Sequence, residues 1–193
     1  MLSYEESLKI FKETNALIEG HFILSSGLHS PKYVQCAQLL SKPSKAFKIC
    51  SSLAEKINSE IENFDLILSP AMGGIIVGYE IGRILSKETI FSERVNGIFK
   101  LRRGFKIKKN SKVLIVEDVI TTGKSSLECS KLVGDADAKI VGYACIIDRS
   151  NGKSEIKKKI TSQLELDIPT YNNDNLPRDL SAIKAIKPGS RNI

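Results

Sequence analysis

The chemistry-bearing residues of this chain gather in one short run. Glu117 and Asp118 are adjacent carboxylates, and after Val119 and Ile120 come Thr121, Thr122, Gly123, Lys124 and Ser125. Threonine and serine hydroxyls, with the exposed amides around a glycine, can cradle a phosphate at the positive end of a following helix. Neighbouring carboxylates can accept hydrogen bonds from the paired hydroxyls of a ribose, or hold a magnesium ion through water. Taken singly, an acid pair is a solvated strand end and a Thr-Thr-Gly run is a helix cap. Together, directly after the apolar residues Val113, Leu114, Ile115 and Val116, they describe a site for a phosphorylated sugar. Gly123, Lys124 and Ser125 also read as the end of a nucleotide-triphosphate P-loop, but that motif needs a glycine five positions before Gly123, where Asp118 stands.

Such a run works at the carboxyl end of a strand in a parallel sheet, where loop amides and helix N-termini converge. The pattern predicts a strand over 113–118, a turn over 119–125 and a helix from about Ser126 to Leu132. The same order occurs earlier: DLILS from Asp65, then Pro70 with Gly73 and Gly74, then a helical stretch from Ile75 to about Leu85. A third strand, KIVGYACIID, ends at Asp148 and Arg149. Strands apolar on both faces and alternating with helices indicate an α/β fold, a mostly parallel sheet covered on both sides. Ahead of it, Ser3 and Glu6 form a capping box, and Leu8, Phe11 and Ile18 predict an amphipathic helix that stops near Gly20. The segment HFILSSGLHSPKYVQCA, 21–37, predicts two short strands joined by a Ser-Ser-Gly turn. Pro43 opens a helix in which Cys50, Leu53, Ile57 and Ile61 keep a helical stride. The charged stretch SERVNGIFKLRRGFKIKKNSK reads as a hairpin or flexible arm. No repeat or low-complexity linker divides residues 1–193, so a single domain is expected.

A chain of 193 residues suits one core. It should hide roughly 70% of the surface its unfolded form exposes, without needing disulfides or metal staples. Hydrophobic residues at 41% and charged residues at 26% exclude disorder. Lysine and arginine number 29 against 22 acids, a net charge of +7, which favours nucleic acid, an acidic membrane or a heavily phosphorylated small molecule. Cys36, Cys50, Cys129 and Cys145 form no CxxC pair and have no histidine placed to complete a zinc site, which suits a reduced, cytoplasmic compartment. The start, MLSYEESLKIFKE, carries acids where a signal peptide is basic and then apolar. No apolar run approaches the ~18 residues of a membrane span.

The run VLIVEDVITTGKS resembles the phosphoribosyl pyrophosphate (PRPP) motif of type I phosphoribosyltransferases. The segment GHFILSSGLHSPKYVQCA, PAMGG at 70–74 and the terminal IPTY and KPGSR narrow the likeness to orotate phosphoribosyltransferases, over nearly the whole chain. The resemblance implies a type I phosphoribosyltransferase-like fold, a mostly parallel central sheet flanked by helices, with a small hood formed by N-terminal and C-terminal segments. It implies transfer of the 5-phosphoribosyl group from PRPP to orotate, giving orotidine 5'-phosphate and diphosphate in pyrimidine biosynthesis. Glu117 and Asp118 match the pair that holds the ribose hydroxyls and carries catalysis, and Val119 to Ser125 match the PRPP loop. Thr121 and Arg149 match positions that contact orotate, the arginine pairing with its carboxylate. Also implied are Mg2+ held mainly by PRPP and water with no protein metal cage, a cytoplasmic homodimer, and small-molecule substrates in place of nucleic acid or membrane.

Many relatives carry a lysine where Gly73 stands, and a mobile loop with two lysines and a histidine where this chain has SERVNGIFKLRRGF. The cationic task toward pyrophosphate passes to candidates among Arg94, Lys100, Arg102 and Arg103, with Ser25 replacing a lysine of the N-terminal turn. His21 and His29 read as hydrogen-bonding loop residues and not as catalytic bases. Lys157, Lys158 and Lys159, and the lysines at 106, 108, 109 and 112, read as solvated turns. Two alternatives stay open: a purine phosphoribosyltransferase, which needs no Arg149 for a carboxylate, and a PRPP-binding nucleic-acid regulator on the same fold.

Overall fold

The structure, a computed structural model, describes residues 1–24 and 26–188. Helix α1 (Tyr4–Glu13) opens on the capping box: the Glu6 amide donates to Ser3 Oγ at 3.1 Å, and the Ser3 amide donates to the Glu6 carboxylate at 2.7 Å. It ends before the apolar spacing predicts. Thr14 turns its hydroxyl onto the Ile10 and Phe11 carbonyls, and Asn15 follows at φ 56°, a left-handed conformation that stops the helix. Ile18 is therefore not a helical residue; it lies in β1 (Leu17–Ile23), 39% exposed.

Strand β1 pairs antiparallel with β2 (His29–Val34) in a two-stranded sheet of its own. The C-terminal segment closes over it, with single bridges from Phe22 to Ile186 and from His29 to Tyr171. That is the expected hood. Two helices then lead to the main sheet: α2 (Cys36–Leu40) and α3 (Pro43–Glu60), the latter opening on Pro43 as the sequence predicts.

The remaining chain runs β3 (Leu66–Pro70), α4 (Gly73–Leu85), β4 (Glu88–Val95), β5 (Ile98–Leu101), β6 (Lys112–Ile120), α5 (Lys124–Asp135), β7 (Lys139–Asp148), β8 (Ile160–Glu165) and α6 (Arg178–Ser181). The sheet order is β5-β4-β3-β6-β7-β8, parallel throughout except for β5. Alternate residues of its central strands feed two cores. Ile67, Leu114, Val116 and Ile146 pack with Leu53 and Ile57 of α3 and Val77 and Ile81 of α4 on one face. Leu68, Val113, Ile115 and Cys145 pack with Cys129 and Val133 of α5 on the other. The apolar-on-both-faces pattern is thus the signature of a doubly covered sheet.

Two strands escape the sequence reading. Residues ETIFSERV form β4, whose Glu88–Ser92 part pairs parallel with β3, while the first part of the expected arm, Ser92 to Leu101, is a hairpin of β4 against β5 and residues 102–111 carry no strand. ITSQLE forms β8, whose polar residues are buried because the helices satisfy them: Thr161 donates to Glu60 at 2.9 Å and Gln163 to Ser7 Oγ at 2.8 Å. Ile57, fully buried between α3 and the sheet, tests the main core. Ile57→Ala should lower stability by about 2–5 kcal/mol in urea unfolding, against about 1 kcal/mol for Ser3→Ala at the exposed cap.

Candidate active site

Helix α4, after β3, packs on one face of the sheet, and α5, after the neighbouring β6, packs on the other. Between those two strand ends the connections part to opposite sides. This opens a crevice at the topological switch point, the place where open α/β sheets bind ligands. Both glycine-bearing turns, Pro70 to Gly74 and Thr121 to Gly123, line it. In the first, the Ala71–Met72 peptide is cis. In the second, Gly123 at φ 80° caps α5, and a Cβ there would also meet Ile156 at 2.8 Å, so only glycine fits. Thr121, Thr122 and Lys124 are exposed and Ser125 half-buried, with the first-turn amides of α5 directed toward the same loop. Thr122 Oγ1 accepts from the Lys124 amide at 3.3 Å and the Thr122 carbonyl from the Glu155 amide at 3.1 Å, which fixes the loop.

Glu117 and Asp118 end the buried part of β6. Glu117 is 6% exposed, and burial first, then the charge of Asp118, pushes its carboxyl up to about 8. The Ser126 hydroxyl and the Arg94 guanidinium act in the opposite direction, although Ser126 Oγ does not reach hydrogen-bond geometry with any partner. Burial also raises Asp118, opposed by its own amide and that of Val119. The Asp118 carboxyl lies against the Cα of Gly73: a Cβ at 73 would stand 2.5 Å from Oδ1. Glycine in place of the lysine of many relatives is therefore matched to where this aspartate sits.

Arg149 follows β7, its amide donating to the Ile120 carbonyl at 2.8 Å, which sets it beside the loop that starts at Thr121. The side chain is half-buried, its Nε is buried with no hydrogen-bond partner, and burial lowers its pKa. Tyr33 of β2 and Cys36 of α2 are near enough to act on its charge, and Cys36 Sγ lies 3.9 Å from the Asp118 carbonyl. The hood, Arg149 and the acid pair thus share one locality. The sequence has no local signal for Tyr33 or Cys36 as neighbours of the site, because each arrives from a different part of the chain.

The cations of the arm are placed as follows. Arg94 donates to the Gly97 carbonyl at 2.7 Å and to Glu128 at 2.5 Å, and stacks 4.1 Å from the Phe99 ring centre. Arg102 and Arg103 both pair with Glu93, at 3.4 and 2.6 Å. Lys100 is exposed. Ser25 lies outside the described residues, as do the last three residues of KPGSR. Two surface depressions, of about 90 and 330 Å³, sit away from this chemistry, one lined by Tyr4, Leu8 and Ile168 and the other by Tyr79, Arg83 and Lys87. We place the site at the crevice because that is where the perturbed acids, the loop amides and the unpaired guanidinium converge.

A family model of the phosphoribosyl transferase domain matches residues 35–176, and the chain belongs to that family. It is 47% identical to an orotate phosphoribosyltransferase of Parvibaculum lavamentivorans over 193 residues, the whole of both chains. An orotate phosphoribosyltransferase of Methylorubrum populi is 48% identical over 188 residues, 97% of this chain and 96% of that one. Among solved structures, an orotate phosphoribosyltransferase from Aeropyrum pernix has a TM-score of 0.72 at 23% identity, covering 82% of this chain and 92% of that one.

The raised Glu117 makes a signed prediction. Between its ordinary 4.5 and about 8 the folded chain keeps a proton that the unfolded chain has lost. The stability contribution of this group therefore falls as pH rises through that interval. Glu117→Gln carries no such penalty. Its Tm should match that of the parent near about pH 5 and exceed it by several degrees near about pH 9, by calorimetry. A gap that does not change with pH would exclude a buried, protonated Glu117.

Proposed function

We infer that this chain is an orotate phosphoribosyltransferase, moving the 5-phosphoribosyl group of PRPP to N1 of orotate and releasing diphosphate. The observation that carries the choice of base is Arg149, a buried guanidinium edge with no protein partner beside the phosphate loop. An unpaired buried donor of this kind asks for an anion, and a carboxylate matches its planar fork. A purine brings no carboxylate. The full-length likeness to orotate phosphoribosyltransferases supports the same reading.

In the mechanism the protein positions the reactants and shapes the field around them. The α5 loop, Thr121 to Ser125, holds the 5'-phosphate, while Glu117 and Asp118 accept hydrogen bonds from the ribose hydroxyls. As the bond from C1 to the pyrophosphate oxygen lengthens, the ribose gains oxocarbenium character, which the acid pair stabilises once the ribose hydroxyls, by donating to it, lower Glu117 from its raised value and let it ionise. N1 of orotate, oriented by Arg149 and Thr121, then forms the new bond to C1 and gives up its proton, while the electron pair of the broken bond leaves with diphosphate, whose oxygens can take that proton. The cations of the arm, Arg94, Lys100, Arg102 and Arg103, are the candidates for receiving the leaving diphosphate.

We propose Mg2+ as the cofactor. Among the described residues no group of three or more metal-binding side chains stands together. The donors that are present, two adjacent carboxyls and the loop hydroxyls, suit a hydrated octahedral ion carried in on PRPP oxygens. Bound there, it would neutralise charge on the leaving diphosphate. A reduced, cytoplasmic setting is supported by the four buried free cysteines.

A homodimer has a candidate surface. Met72, just ahead of α4, and Ile76 and Tyr79 on it are 83%, 54% and 65% exposed, beside Phe47 of α3 with Arg83 over its ring. An apolar stripe of this kind beside the crevice is the surface a second copy would cover. Ile76→Glu combined with Tyr79→Glu should halve the mass seen by sedimentation; an unchanged dimer would place the interface elsewhere.

With PRPP and Mg2+, consumption should be seen with orotate and not with uracil, adenine or hypoxanthine; use of a purine instead would overturn the assignment. Asp118→Asn should lower kcat on the order of 100-fold with an unchanged fold. Arg149→Ala should raise the KM of orotate by about 10-fold or more while leaving that of PRPP nearly unchanged.

A further inference from the structure

The histidines of this chain, two in all, meet in the hood. His21 of β1 and His29 of β2 are 4% and 7% exposed, their ring centres 4.8 Å apart. His21 Nε2 lies 2.6 Å from His29 Nδ1, and His21 Nδ1 lies 2.8 Å from the carbonyl oxygen of Ile183. Neither ring takes part in the reaction as derived above.

The carbonyl fixes the direction of this chain. It only accepts, so His21 Nδ1 carries a proton and donates. In the neutral ring His21 Nε2 is then bare and accepts from His29 Nδ1. One added proton is accommodated, on His29 Nε2 or, with the donor reversed, on His21 Nε2. A second would set two N–H groups and two positive charges against each other across 2.6 Å. The titratable side chains of the hairpin are Glu19, Lys32 and Tyr33, of which Glu19 and Lys32 pair at 3.8 Å and stand half exposed. Those of the C-terminal segment from Tyr171 to Lys187 are Tyr171, Asp174, Arg178, Asp179, Lys184 and Lys187.

The same pair sits where the hood is joined to the rest. His29 exchanges both backbone hydrogen bonds with Tyr171, at 2.8 and 2.9 Å, and the His21 carbonyl accepts from the Ile186 amide at 2.8 Å. Strand β2 then carries Tyr33 and leads into α2, where Cys36 touches the Asp118 carbonyl.

We propose that the His21–His29 pair is a positioning device for the base side of the site, a clip that holds the hood hairpin to the C-terminal segment with room for one added proton and not for two. The clip rests on the orotate reading for its substrate. It sets β2, and with it Tyr33, opposite Arg149, so its loss misplaces the base and leaves the phosphate loop untouched. The expected signature is a change in orotate KM without a matching change in PRPP KM.

Three variants of the full chain test it. His29→Ala should raise the KM of orotate by about tenfold with PRPP KM unchanged. His29→Asn, whose amide stands in for Nδ1 as donor or acceptor, should restore the parent KM. Lys184→Ala, on the same segment but outside the hydrogen-bond chain, should leave both KM values unchanged. An equal effect of His29→Ala on both substrates, or His29→Asn as impaired as His29→Ala, would overturn the clip. If His29→Ala does not fold, nitrogen NMR of the parent protein decides, since two histidines give four ring-nitrogen signals without overlap. One ring should charge while the amides of Tyr171 and Ile186 stay protected from exchange, and the second only as that protection is lost. Both rings charged under full protection would refute the proposal. A parent protein that ignores orotate refutes the substrate reading instead, and the NMR titration still judges the clip.

Discussion

Two neighbouring carboxylates, one buried and one half-buried, are the constraint around which the molecule is organised. Lost hydration at the end of a buried strand raises both Glu117 and Asp118, and the neighbouring charge of Asp118 raises Glu117 further. Their surroundings supply only partial relief: two backbone amides for Asp118, a hydroxyl and a distant guanidinium for Glu117. Full relief needs a ligand that donates hydrogen bonds to both, and paired sugar hydroxyls do so. The sheet order follows the same requirement. With β6 between β3 and β7, and α4 and α5 leaving to opposite faces, the acids stand at the opening of the crevice and not under a helix.

In the proposed reading the positive side of the site is built in two different ways. Arg94, Arg102 and Arg103 are held by the carboxylates of Glu128 and Glu93 at the surface, in pairs worth at most about 1 kcal/mol each. Such partners exchange readily for a polyanion of higher charge. Arg149 has no carboxylate at all and is partly withdrawn from water, so its preference for an anion is permanent and local. Weakly tethered cations suit a leaving group that must bind and depart. A fixed, desolvated one suits the recognition of a base.

The acid pair, the phosphate loop and Arg149 are legible in the sequence because each is local: a buried run, two acids and a glycine turn lie within a dozen residues or at a strand end. The doubly covered sheet is legible for the same reason, since Val113 to Val116 are apolar without alternation. What fails is whatever depends on distant partners. The polar strand β8 has no apolar signature, because Thr161 and Gln163 are satisfied by α3 and α1 across more than a hundred residues of chain. The end of α1 is misjudged since Ile18 continues the helical spacing while Thr14 and Asn15 stop the backbone. The arm's arginines show as cations in the sequence, but their tethers, Glu128 above all, lie on another element.

The hood and the sheet also differ in how firmly they are built, and that difference bears on function. The phosphate loop is continuous with a six-stranded sheet packed on both faces, so it is preformed. The hood is a two-stranded ribbon, and such a pair alone is marginal in water. It is secured by isolated bridges at Phe22 and His29 and by the histidine chain to Ile183. Opening free energy is lowest where buried contacts and ladder bonds are fewest. The base side therefore yields before the phosphate side does, and a site with one rigid wall and one held by a few polar contacts can admit a flat base without disturbing the sugar phosphate already seated on the sheet.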